Sequence, residues 1–316
     1  MTSNNKDSPF VLVIGSASID VSVMTATLPQ PGETVIGHGS LIAPGGKGSN
    51  QAVAAVACGA ATHFVGRTGA DVFGRMIRDG LASRGVRIDD LRSVEDAASG
   101  LATISVEDSG RNAIVVVPGS NARLMPADLD ALRPLIGSAA VVVLQCEILM
   151  DTMYHAIDVA ADTGTPVILN PAPFRGLDLP RIAGRLAYLV PNETEAAQMI
   201  GRPVESVADA LACATELQAQ EIDCVIVTLG AQGCVVADEQ PARHHAGHRV
   251  AAVDTTGAGD AFVGCLAASL ASGRSRDESV RRALLYSALS VTQRGAQVSF
   301  PRAEDFERAW SASART

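Results

Sequence analysis

The chain has 316 residues, 47% hydrophobic and 19% charged, which supports a sizeable core and excludes a disordered chain. Asp and Glu outnumber Lys and Arg by 34 to 25. The resulting net charge of −9 argues against nucleic acid or an anionic membrane as partner, though not against a phosphorylated ligand held by local donors.

Met1–Ser8 is polar and lacks the apolar stretch of a signal peptide, and the apolar run Ala52–Ala61 is too short to span a bilayer. The six cysteines (Cys58, Cys146, Cys213, Cys224, Cys234 and Cys265) form no CxxC and no metal spacing; four have apolar neighbours and read as small core residues. A cytoplasmic protein is expected.

Phe10–Gly15 is a continuous apolar run ending in Gly, expected as a buried parallel strand. The loop Ser16–Asp20 then lies at the strand's carboxyl end, where open α/β sheets bind ligands. Val21–Met24 and Thr34–Ala43 alternate weakly around Pro29-Gln30-Pro31-Gly32 and are predicted as strands outside the main sheet. Pro44-Gly45-Gly46-Lys47-Gly48-Ser49-Asn50-Gln51 reads as a loop before a helix Ala52–Cys58. It is not a P-loop: Leu41 stands where Gly is needed, and Gly48 follows the lysine where Ser or Thr is needed. Either Lys47 and Asn50 point at a polar ligand, or the segment is a Gly-rich turn with a solvated lysine.

Thr62–Gly66 is predicted as a strand and Val72–Arg84 as a helix stopped by Gly85. Gly100–Val106 and Asn112–Val117 flank Glu107-Asp108-Ser109-Gly110-Arg111 as a hairpin, completing a small accessory sheet. Asp89-Asp90 and Glu107-Asp108 read as exposed turn residues. From Pro126 the pattern is regular α/β alternation. Helices are expected at Ala127–Ile136, Asp151–Thr163, Glu193–Ile200 and Ala208–Gln220, and strands at Ala139–Leu144, Val167–Asn170, Leu186–Val190 and Cys224–Leu229. Val235–Asp238 and His248–Val253 read as extended. Helices Ala258–Ser272, Arg276–Gln293 and Ala303–Ser311 follow, with Ala312–Thr316 expected to fray. His244-His245-Ala246-Gly247-His248 reads as a solvated loop, because no Cys or carboxylate completes a metal set. Trp310 reads as packing.

With no repeat or low-complexity linker, the prediction is an α/β fold: a Rossmann-like three-layer domain over residues 1–316 with a mainly parallel central sheet. A small β-sheet lid is expected within 20–43 and 99–118.

The densest chemistry lies in Asp254-Thr255-Thr256-Gly257-Ala258-Gly259-Asp260, a Gly-rich turn opening an apolar helix. Unpaired N–H groups and the dipole at such a helix start suit a phosphate. Asp260 would repel that phosphate as a ligand, but makes sense as a base taking a proton from an attacking hydroxyl. The alternative is a helix cap. Gln145-Cys146-Glu147, Asn170-Pro171-Ala172-Pro173, Pro191-Asn192-Glu193-Thr194-Glu195 and Thr228-Leu229-Gly230-Ala231-Gln232-Gly233 also fall at predicted strand ends. No GxGxxG follows a predicted strand, which disfavours a nicotinamide enzyme.

In this order the motifs resemble the PfkB (ribokinase-like) family of carbohydrate kinases over about Val11–Trp310. Asp254–Asp260 matches one family signature and Gly45-Gly46-Lys47-Gly48-Ser49-Asn50 the other. The resemblance implies ATP-dependent phosphorylation of D-ribose at O5, with Asp260 as base and Gly257, Ala258 and Gly259 as the anion hole. It implies sugar contacts from Ser18, Asp20, Gly46, Lys47, Asn50 and Glu147, and nucleotide contacts from Asn192, Glu195, Thr228, Gly230, Gly233 and Gly259. It further implies Mg²⁺ near Asn192 and Glu195 through water, and K⁺ held by Asp254, Thr256, Ser290, Gln293, Gly295 and Ser299. The family's ribose kinases typically carry Asn where this chain has the shorter Ser18, so another furanose, a deoxyribose or a nucleoside stays open as acceptor. A non-catalytic sugar-binding protein is a further alternative. A homodimer through the lid strands is expected, because their edges would otherwise be exposed.

Overall fold

Phe10–Ile14 (β1) is buried at every residue, as a strand covered on both faces must be. The computed structural model describes residues 9–313. β1 lies parallel between Ala61–Gly69 (β4) and Val141–Gln145 (β8). Two strands separate it from them in the chain, Ser18–Thr25 (β2) and Gly37–Gly45 (β3). The main sheet continues with Leu91–Val94 (β5), Val167–Asn170 (β9), Tyr188–Leu189 (β10), Val225–Thr228 (β11), Cys234–Ala237 (β12) and Arg243–His245 (β13). Its order is β13-β12-β11-β10-β9-β8-β1-β4-β5. Pairing is parallel from β11 to β5, and β12 pairs antiparallel with both β11 and β13.

Gly100–Glu107 (β6) and Asn112–Val117 (β7) join β2 and β3 in a separate four-stranded sheet, order β3-β2-β6-β7. The β2/β6 pair is parallel and the outer two pairs are antiparallel. One face of this sheet carries Asp20, Ser22 and Met24 from β2 with Leu41, Ile104 and Ile114 from its neighbours, and looks across a cleft at residues 252–256 and 294–298.

Two apolar clusters cover the faces of the main sheet. The helix Ala258–Ala271 is buried nearly all round because the helices Lys47–Ala57 and Arg276–Ser290 and the strands β1 and β8 all pack on it. Gly264 makes the closest helix contact possible: a Cβ there would lie 2.5 Å from both Ala54 Cβ and Gln51 O. That approach brings the first turns of two helices side by side.

Several boundaries differ from the sequence reading. The segment read as a loop before Ala52 is already helical from Lys47, because Gly46 at φ +91° turns the chain at once and Asn50 N–H bonds Gly46 O. Ala127–Ile136 is two short helices, Pro126–Asp130 and Arg133–Ser138, since Pro134 lacks the N–H that continuity would need. β5, short and polar, carries no strong signal. His248–Val253 is not a strand; instead Arg243–His245 closes the sheet edge, so His244 and His245 lie on a strand and not in a loop. Glu107 is not an exposed turn residue: it is 5% exposed and accepts from Leu28 N–H, Ser109 and Arg111. Trp310 packs on the core with the Arg282 guanidinium over its ring. Met1–Ser8 and the end of the predicted frayed tail lie outside the described residues.

Candidate active site

Asp260 stands in the first turn of Ala258–Ala271, 6% exposed. Its side chain does not cap the helix. Oδ2 accepts from Asn50 Nδ2 at 2.9 Å and Oδ1 from Gln51 Nε2 at 3.0 Å, both from the first turns of the neighbouring helix Lys47–Ala57. The helix cap is Gly257 at φ +77°, left-handed and pressed against Ala296, where a Cβ would meet another at 2.9 Å. Gly259, by contrast, faces open space.

A pocket of about 210 Å³ opens in front of this turn, lined by Lys47, Asn170, Asn192, Glu195 and Thr228 together with Thr255 and Gly257–Asp260. A larger cleft of about 620 Å³ runs from Thr255 under the small sheet to Asp20. Thr255 borders both spaces, which places an anion-sized pocket next to a polyol-sized one.

The ends of β1 and β8 supply the next shell. Glu147 Oε2 accepts from Ser16 Oγ at 2.6 Å and from Lys47 N–H at 3.0 Å, which ties the strand end to the helix start. Asn121 grips the backbone of Ala17 through both its amide atoms and fixes the turn into β2. Gly45 has no Cβ because one would lie 2.2–2.3 Å from the carboxyl of Asp20. Ser18 donates to Asp20 Oδ1 at 3.3 Å.

Charges converge here. Burial pushes the Asp20 pKa up to about 6, with Glu147 and Asp260 adding to it against the Ser18 hydrogen bond. Burial likewise raises Asp260, opposed by Lys47 and by the Asn50 and Gln51 amides. Burial works against the Lys47 ammonium, but Asp260, Glu147 and Glu195 outweigh it and hold its pKa above the usual lysine value. Lys47 is therefore a fixed cation among four carboxylates.

The chain matches the pfkB family carbohydrate kinases over residues 8–303. The chain belongs to that family. It is 36% identical over 297 residues to the deoxyribokinase of Salmonella typhi, covering 94% of this chain and 97% of the relative. It is 37% identical over 306 residues to the ribokinase of Bacillus subtilis, covering 94% and 98%. The structure of Arabidopsis thaliana ribokinase complexed with ribose and ATP superposes with a TM-score of 0.90 at 30% identity, over 96% of this chain and 98% of that one. This protein is thus a kinase that phosphorylates a sugar, with the mixed α/β architecture of that family.

The remaining candidate residues of this carbohydrate kinase fall in three places. Asn192 and Glu195 form a reciprocal capping box, Asn192 Oδ1 accepting Glu195 N–H at 2.8 Å and Glu195 Oε2 accepting Asn192 N–H at 2.9 Å. Thr228 lies beside Asn192 at the neighbouring strand end. Gly230 starts an exposed turn away from the lining of either space, and Gly233 at φ +98° is where the backbone of 245–247 comes closest. Asp254 folds the segment after Ser290 around itself, accepting from Thr256 N–H and Oγ1 and from Gly295 N–H at 2.7–2.9 Å. These bonds outweigh burial and hold its carboxyl below the usual range. Ser290 and Ser299 donate to the carbonyls of Ser287 and Ala296, and Gln293 is exposed.

Gln51 and Gln297 carry no role in the sequence reading, and Gln145 appears there only as the start of a polar strand end. Buried glutamines carry no spacing signal; Gln51 reaches Asp260 across the helix pair, while Gln145, at the end of β8, and Gln297, in the segment after Ser290, bond the amides that do. Among the described residues no group of three or more His, Cys, Asp or Glu could hold a metal, and no helix is long and apolar enough to cross a membrane.

Proposed function

We propose that this kinase transfers the γ-phosphoryl of ATP to O5 of D-ribose. The observation that carries the reading is the Asp260 carboxylate, buried at a helix start, gripped by two amides and lining an anion-sized pocket that shares Thr255 with the polyol-sized cleft. Asp260 takes the proton of the sugar hydroxyl as its oxygen attacks phosphorus. The bond from phosphorus to the bridging oxygen breaks, and ADP leaves with the electron pair. The helix start at Gly257–Gly259 and the Lys47 ammonium offset charge on the transferring group. Asp20, Asn50 and Glu147 hold the sugar hydroxyls, since carboxylates accept from them and amides can do either.

Two cations fit the donor chemistry. Glu195 keeps an oxygen outside its capping box, and with Asn192 would hold Mg²⁺ through water; the ion supplies neutralisation of the phosphates. Asp254, the Ser290 and Ser299 hydroxyl oxygens and neighbouring carbonyls are hard donors suited to K⁺, which would steady the loop beside the helix start. A homodimer through the small sheet is part of the reading, because β7 is exposed along its whole length and carries Ile114, Val115, Val116 and Val117.

A second reading, 2-deoxyribose as acceptor, is favoured by Ser18, which is shorter than the Asn typical of the family's ribose kinases and donates its hydroxyl to Asp20. A coupled ADP-release assay with ribose, 2-deoxyribose, other furanoses and nucleosides separates the two. Ribose is expected to show the highest kcat/KM. A higher value for deoxyribose would install the second reading, and no sugar-dependent turnover with any acceptor would end both.

A further inference from the structure

The two amides that grip Asp260 could in principle face it with either end, and a carbonyl end would repel the carboxylate. Their orientation is dictated from outside. In the first arm, Ser49 Oγ has its hydrogen committed to the carbonyls of Gly45 and Gly46, which can only accept. Ser49 Oγ therefore accepts from Gln297, which must present Nε2, at 3.0 Å. The same Nε2 donates to Asn50 Oδ1 at 2.9 Å, and this leaves Asn50 Nδ2 to face Asp260.

The second arm starts at Val190 O, which accepts from Asn170 Nδ2 at 2.8 Å. Asn170 Oδ1 then accepts from Gln51 Nε2 at 3.1 Å, and that Nε2 also reaches Asp260. Gln145 Nε2 occupies the other end of Gln51, donating to Oε1 at 2.7 Å. Every link is buried: Ser49, Gln51, Gln145 and Gln297 are each at most 3% exposed.

We propose that Gln297 is a positioning residue that sets the donor polarity of Asn50, so that the base of this kinase meets N–H groups and stays a carboxylate. The proposal rests on Asp260 being the base. Gln297 does not act by charge. The charged groups around Asp260 are Lys47, Glu147, Asp20 and Glu195, and none of them touches Gln297 in this network. Gln297 also joins two segments: it lies two residues beyond Gly295, which Asp254 holds, so the loop beside the helix start is linked to Asp260 through the side chains of Gln297 and Asn50.

The test compares Gln297→Glu, which keeps the size but can only accept, with Gln297→Met, which does neither. Ser49→Ala joins them because it frees the Gln297 amide to turn without adding charge. Asp260→Asn is the control for the underlying reading. The readouts are kcat and KM for the sugar, the pH dependence of kcat, and thermal unfolding. Gln297→Glu is expected to lose about 100-fold in kcat, Gln297→Met about tenfold and Ser49→Ala somewhat less, with KM changing by less than kcat. The acid limb of the pH profile should move to higher pH in all three. If Asp260→Asn is inactive while the three variants keep the parental acid limb, or lose only thermal stability, the positioning role is overturned. If Glu and Met at 297 behave alike, donor polarity is not what Gln297 supplies. Near-normal turnover by Asp260→Asn would instead overturn the base assignment itself.

Discussion

At the residue scale two carboxylates of one site are expected to behave differently. Asp260→Asn keeps the shape of the side chain and replaces an acceptor with an amide that cannot take the proton. It is expected to bind sugar with near-parental affinity and lose about 10²–10⁴-fold in kcat, as calorimetry and steady-state kinetics would show.

Asp20 reads through pH. Its pKa is raised from 3.8 to about 6, so the folded state holds the proton more tightly than the unfolded chain. Its ionisation therefore costs stability as pH rises between about 4 and 6, and the loss is complete above 6. Such a shift has a ceiling of about 3 kcal/mol, and partial exposure reduces it to about 1–2. Asp20→Asn is accordingly expected to raise the Tm at pH 7.5 while abolishing sugar binding. In the parent, sugar affinity should fall as pH drops through about 6. A titration series from pH 5 to 8 in which affinity stays flat would show that ionised Asp20 does not hold the sugar.

At the element scale the site depends on how closely two helices approach. Asn50 and Gln51 reach Asp260 only because Gly264 lets Ala258–Ala271 lie against Lys47–Ala57. Gly264→Ala gains helix propensity of about 1 kcal/mol, but its methyl would meet Ala54 and the Gln51 carbonyl at 2.5 Å. Overpacking of this kind costs about 1–3 kcal/mol. The expected result is a net loss in urea unfolding, together with a fall in kcat larger than the change in KM, because the helices part at the turn that holds Asp260. An unchanged kcat would show that the contact is not what sets the grip on Asp260.

At the scale of the molecule, a small sheet stands apart from the main one and faces residues 252–256 and 294–298 across a cleft. Ser22, Leu41, Ile104 and Ile114 share one row across the small sheet and face the cleft, while Val21, Ile42, Thr103 and Val115 form the row behind it. Along β7 both faces are exposed. If a second copy pairs there, light scattering should report a dimer, and Ile114→Lys combined with Val115→Lys, one charge on each face, should yield a monomer. A parent that is monomeric at high concentration would remove the dimer from the reading.

Much of this was legible without coordinates, and for a physical reason. Strand and helix identity follows from local periodicity, so β1, β9 and the helices Val72–Ser83 and Glu193–Ile200 sit within a residue of where apolar spacing and Gly stops place them. The place of Asp260 in the first turn of a helix was legible because a Gly-rich turn there precedes an unbroken apolar run. What depends on packing was not legible. The helix start at Lys47 turns on one positive φ at Gly46, and the split of 126–138 on how Pro134 is accommodated. The amide relay joins residues up to 248 positions apart, and glutamines look alike in a sequence wherever they lie. The sequence by itself determined which groups could carry phosphotransfer. Only the tertiary structure decided which end of each amide faces Asp260, because hydrogen-bond polarity is set by partners that the chain brings together from a distance.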